Sequence, residues 1–187
     1  MDSEIGTSVK LTGQAQSGST LSESIKLSNR YQIECRDKNG GLKWVEEFEN
    51  IVPNVGLNDL LDKYLKGSAY TASFFVGLTD STPTTNATDT MASHAGWTEL
   101  VAYTEGTRPA LVLGVVSGQS VDNSASKASF SINADTQSIG GAFLTTDATK
   151  SGSTGILYSV AAFNTGDKGL DSGDTLNVTA IATAASA

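Results

Sequence analysis

FENIVPNVGLNDLLDKYLKGSAYTASFFVGLTD, residues 48–80, holds the one segment of this 187-residue chain with clear helical spacing. Leu57, Leu60, Leu61, Tyr64 and Leu65 recur at the three- and four-residue intervals that line one face of a helix. Asn54, after Pro53, is placed to cap the N-terminus, and Lys66-Gly67 to stop the chain. The spacing predicts an amphipathic helix over about 54–66, its apolar face packed on a sheet. Ala72-Ser-Phe-Phe-Val-Gly-Leu78, which follows, is short and strongly apolar, the pattern of a central strand.

Outside this stretch the pattern is that of short strands. Upstream, Tyr31, Ile33 and Cys35 alternate with polar residues, and Leu42–Phe48 follows after Asp37-Lys-Asn-Gly-Gly41. Asn39-Gly40 supplies the positive φ angles of a tight turn, so a β-hairpin is expected. Downstream of Arg108-Pro109, strands are expected over Ala110–Val116, Lys127–Asn133, Gln137–Thr145, Ile156–Phe163 and Thr175–Thr183. Clusters of Ser, Asn, Asp and Gly separate them. Regular spacing of this kind predicts a mainly β protein, an antiparallel, jelly-roll-like β-sandwich carrying one amphipathic helix.

Two segments stand apart. Residues 1–29 are polar, with isolated apolar residues at Val9, Leu11, Leu21, Ile25 and Leu27. So few large side chains cannot offset the segment's own ordering entropy, which leaves a flexible end or an extended arm that orders on something else. The expected organisation is therefore an arm over 1–29 and a sandwich domain over 30–187. The second is Thr79–Gly96, which has no periodicity and is long for a loop in a compact domain, a length that often marks an interaction element.

The net charge of −8 and scattered lysines disfavour nucleic acid and anionic membrane as partners, since both need clustered Lys and Arg. A single cysteine, Cys35, cannot close an intramolecular disulfide, and its alternation reads as a small buried residue. MDSEIGTSVK lacks a basic and then apolar start, and no run approaches membrane-spanning length; neither a signal peptide nor a spanning segment is expected.

Material for catalysis is scarce. One histidine, His94, sits beside Ser93, but neighbours in sequence do not make a triad. Zinc would need more His or Cys than the chain has. Asp167, Asp171 and Asp174 lack the alternate spacing of a calcium loop and read as turn residues. No phosphate-cradling glycine motif occurs, and no cofactor, metal or catalytic residue is expected.

The order Phe48-Glu-Asn-x-Val52-x-Asn54-x-Gly56-Leu57-Asn58-x-Leu60-Leu61-Asp62, then Phe75-Val-Gly-Leu78-Thr79, then Asp89-Thr-Met-Ala-Ser-His-Ala-Gly-Trp97-Thr-Glu99 resembles a family of tailed-bacteriophage virion structural proteins. The similarity continues through Val115–Phe130, Ile139–Thr146 and Asp174–Thr179 and covers roughly residues 44–184. The resemblance implies a non-enzymatic decoration or cement protein on the capsid exterior, bound to the major capsid protein and acting as a dimer or trimer. It implies synthesis in the host bacterial cytoplasm followed by incorporation into the virion. A tail, fibre or baseplate component, with glycan binding, is the alternative. On this reading the contacts are expected from the arm (Val9, Leu11, Leu21, Ile25, Leu27) and from Met91, His94 and Trp97 in the long loop. For Trp97, packing in its own domain's core competes with that role.

Overall fold

The hairpin at Asp37–Gly41 sets the register for the first half of the molecule. The Asp37 carboxylate accepts the amides of Asn39 (2.8 Å) and Gly41 (2.9 Å), and Gly40 takes a φ of 83°. This Asx turn joins β1 (Ile25–Arg36) to β2 (Leu42–Ile51). In the computed structural model, residues 25–70 and 73–186 are described. β1 begins five residues inside the expected arm because Ile25 and Leu27 continue, with Lys26 and Ser28, the alternation seen at Tyr31–Cys35.

The remaining strands are β3 (Phe75–Thr79), β4 (Ser120–Asp122), β5 (Ala128–Ser131), β6 (Gln137–Ile139), β7 (Gly141–Thr145), β8 (Leu157–Ala162), β9 (Lys168–Leu170) and β10 (Thr175–Ser186). All pairings are antiparallel, in the order β3-β7-β8-β2-β1-β10-β4, with β5 also on β10 and β6 paired to β9. β10 lies along all twelve residues of β1 and carries β5 and β4 on its other edge. β2 passes between the two walls: Leu42–Glu49 pair with β1, and Asn50 and Ile51 pair with β8. Over the described residues the protein is mainly β, a curled antiparallel sandwich with one short helix.

Two apolar layers result. Tyr31, Ile33, Cys35, Phe48, Phe130, Leu176 and Val178 fill the interior between the walls, joined by Val76, Leu78, Ala142 and Leu144. β7 is buried at every position because it is covered on both faces. Its Phe143 points the other way, into a second cluster with Met91, Trp97, Leu157 and Val160. Gly77, opposite Phe143, leaves room for that ring; a Cβ there would stand 2.1 Å from it.

Three sequence expectations change. Phe75–Thr79 is not a central strand; it ends the hydrogen-bonded order. Ala110–Val116 forms no strand, only an isolated bridge from Ala110 to Phe75. Leu111 donates to the Phe74 carbonyl (2.8 Å) beside β3, and Gly114 to that of Asp122 (2.7 Å) in β4, so the segment spans the gap between the two outer strands. The helix has its expected span, but α1 covers only Asn54–Leu60 and runs into a π-helical turn at Leu61–Leu65, ending at Gly67 with φ 79°. Asn54 makes no side-chain cap; its amide instead donates to the carbonyl of Ala87 in the long loop (2.8 Å).

Candidate interaction surfaces

The long loop, expected to reach outward, is folded onto the body. Thr84 donates to Gly96 (3.1 Å), and Asp167 accepts both the amide and the hydroxyl of Thr82 (each 2.6 Å). Met91 and Trp97 are 3% and 6% exposed and belong to the second cluster. As outward anchors they are corrected: the outer face of β7 and β8 is apolar, and these are the side chains that cover it. His94 is half-buried and stacks on the Trp97 indole, centroids 3.6 Å apart. Its Nδ1–H donates to the Trp97 carbonyl (3.1 Å), so it braces the loop.

Below that stack lies a polar cleft of about 320 Å³ lined by Met91, His94, Trp97, Glu99, Arg108 and Ser151. Its floor is an ion pair that the sequence reading missed. Arg108, 1% exposed, donates through Nε and Nη2 to the two Glu99 oxygens (2.9 and 2.8 Å) and through Nη1 to the Asp147 carbonyl (2.8 Å). Its guanidinium lies 5.2 Å from the Phe143 ring centroid. Glu99 also accepts the Ser151 amide (2.7 Å), which holds Ser151 in left-handed backbone (φ 54°). The available signal was a glutamate and an arginine each set among apolar residues, at Trp97–Val101 and Arg108–Leu111.

Nearby, Asp147 is held below the usual carboxylate range, first by the Thr154 hydroxyl and then by the Thr149 amide. In the interior, burial pushes the Cys35 thiol up to about 12 and the Tyr31 phenol well above its ordinary value. Among the described residues no group of three or more His, Cys, Asp or Glu is placed to hold a metal ion. No described helix is long and apolar enough to cross a membrane.

Of the arm residues, Val9, Leu11 and Leu21 lie outside the described residues. Ile25 is in β1 opposite Ser186, and Leu27, half-buried, is opposite Ala184. These two positions therefore belong to the sheet.

Among the described residues, exposed apolar side chains gather at two places, apart from Leu42, Val45 and Val101. The helix meets β8 through Gly56, where a Cβ would stand 2.8 Å from the Tyr158 carbonyl, and Val55 packs on the second cluster. That contact turns the leucine face outward, contrary to expectation: Leu57, Leu61, Tyr64 and Leu65 are 39, 50, 84 and 71% exposed. Leu60, Lys63, Tyr64, Tyr70, Phe74 and Tyr158 line an apolar groove of about 270 Å³ there. A neighbouring apolar hollow of about 180 Å³ shares Phe74 and Tyr158 and is also lined by Leu111, Leu113, Val121 and Ile181. Beyond it runs the second exposed surface, Val112, Leu113, Val115 and Val116. Exposed apolar residues gathered in this way mark contact surfaces.

Compared with known proteins, the chain matches no family model, no curated protein and no solved structure.

Proposed function

We propose that this chain is a non-enzymatic structural protein of a tailed-bacteriophage virion, a decoration or cement protein that binds the major capsid protein on the capsid exterior. The observation that carries the reading is the pair of exposed apolar surfaces, at Leu57–Tyr70 and at Val112–Val116. Exposed apolar surface of this extent suits docking on a neighbouring capsomer. A modest contact repeated at every equivalent position of a shell gains strength by avidity. The residue blocks that resemble those of virion structural proteins supply the biological context, and the acidic charge suits a particle surface that must not adsorb DNA.

Cryo-electron microscopy of purified particles tests the proposal. Density for this chain at symmetry-equivalent sites on the shell, in hundreds of copies, is expected; its absence from the shell would sink the idea. A second reading, a tail, fibre or baseplate component that holds host glycans, is favoured by the groove with Tyr64, Tyr70 and Tyr158, since tyrosine offers an apolar face and a polar tip. It requires a handful of copies per particle and retention of cell-surface polysaccharide by the purified chain.

A further inference from the structure

We propose that the aromatic groove beside the helix takes an arginine side chain of a partner protein, its guanidinium stacked on the groove's rings and paired to Asp59. The walls are Tyr64, Tyr70, Phe74 and Tyr158, and the charged groups lining the groove are Asp59 and Lys63. Tyr70 and Phe74 have ring centroids 6.3 Å apart and Phe74 and Tyr158 4.9 Å apart, both pairs tilted, so the rings bound a concave apolar wall. Burial first, and the Asp59 charge in addition, raises the Tyr70 and Tyr158 phenols above their ordinary value. The carboxylate therefore lies close to both of those rings.

The state of Asp59 selects the occupant. It is half-buried, and among the described residues no lysine, arginine or histidine pairs with it. The two nearby lysines are drawn to the neighbouring carboxylate instead: Lys63 and Lys66 lie 3.6 and 3.0 Å from Asp62. A purely apolar occupant would close the groove over Asp59 and strip it of water with no cation to replace it, which is costly. An occupant that brings a positive charge turns that cost into an attraction.

The aromatic walls narrow the choice further. A cation over a tyrosine or phenylalanine face is held by the ring's own charge distribution. The guanidinium is planar, so it can lie flat on a ring while its edge donates two hydrogen bonds to a carboxylate; an ammonium cannot do both. A chain of net charge −8 also draws basic partners toward it.

The inference rests on the virion reading only for the partner's identity, the capsid protein, so the groove itself is tested on the purified full-length chain. The peptide acetyl-Gly-Arg-Gly-amide, titrated to roughly 20 mM to cover millimolar affinity, should shift the resonances of Tyr64, Tyr70 and Tyr158 in tyrosine-labelled protein. The citrulline peptide, of the same shape but uncharged, should bind at least about fivefold more weakly. Asp59→Asn should weaken the arginine peptide by a similar factor with circular dichroism unchanged. Glu49→Gln makes the same charge change at an exposed site of β2 outside the groove, and should stay within about twofold of the natural chain. Uptake of the chain by particles stripped of it should also fall about fivefold or more with Asp59→Asn. Unmoved tyrosine resonances overturn the proposal, as does equal binding of the citrulline peptide or an equal loss with Glu49→Gln. Tyrosine shifts with maltohexaose but not with the arginine peptide overturn it in favour of a glycan, and undiminished uptake of Asp59→Asn overturns the groove as the docking site. Cryo-electron microscopy, which judges the virion reading, does not enter the titration, so either can fail alone.

Discussion

The loop covering β7 and β8 and the helix beside it carry opposite signals in sequence and use their apolar side chains in opposite ways. The loop, polar and aperiodic, buries Met91 and Trp97 and closes a second core. The helix, with a regular leucine stripe, leaves Leu57, Leu61 and Leu65 in solvent. Amphipathic spacing states that one face of a helix is apolar. It does not state which neighbour that face meets, and here Gly56 provides a closer fit to β8 than the leucines do. The covered face is built for stability, and the open one is available for contact.

Substitutions on the covered face should be costly. Arg108→Met leaves Glu99 buried without its partner, and removing one member of such a pair typically costs about 3–5 kcal/mol. Urea unfolding should show this loss, and a much smaller one when Glu99→Met is added. Trp97→Ala, which opens a cavity against Phe143 and Val160, should cost a similar ~3–5 kcal/mol. A loss below about 1 kcal/mol for either would mean that the loop only rests on the sheet.

Gly56→Ala probes the border between the two regions. Its Cβ would press on the Tyr158 backbone, which cannot yield as a side chain could, so a loss of about 1–3 kcal/mol is expected. A neutral result would show that the helix can lift from β8.

Acid should loosen the covered side. Asp147 has a depressed folded-state pKa, so its stabilisation is present above the ordinary carboxylate value of ~3.9 and lost as the pH falls through the depressed one. Melting temperature followed from pH 7 to about 2 should show a component of the acid decline that Asp147→Asn abolishes. The smallest effect belongs to the open side. L61S/L65S should change unfolding by no more than ~0.5 kcal/mol, yet should reduce binding to intact particles if that face meets the capsid.

Legibility in the sequence followed how local the determinants are. Alternation at Tyr31–Cys35, at Ala128–Ile132 and at Leu176–Ala180 depends on a period of two, and those strands stand where they were expected. β4 and β9, three residues each, are too short to show a period and lie within stretches that read as turns. Ala110–Val116 has strand composition without strand pairing, because only Leu111 and Gly114 find backbone acceptors on the flanking strands. The candidate surfaces were the least legible part. Whether a valine or a tryptophan is exposed depends on partners distant in the chain, as with Trp97 on Phe143, and composition is silent on that.

The placement of β10 has a consequence for synthesis. It forms the spine of one wall, hydrogen-bonded to β1 along its whole length and to β4 and β5 on the other edge, yet it is the last described strand to leave the ribosome. Until Thr175–Ser186 emerges, β1, β4 and β5 have no common neighbour, and Tyr31, Ile33 and Phe130 line an open trough. Contacts of such long sequence separation form late, and unpaired edges attract other chains meanwhile. A nascent chain stalled before Thr175 should therefore be bound by chaperones and cut by proteases, and both susceptibilities should vanish together within the next dozen or so residues released.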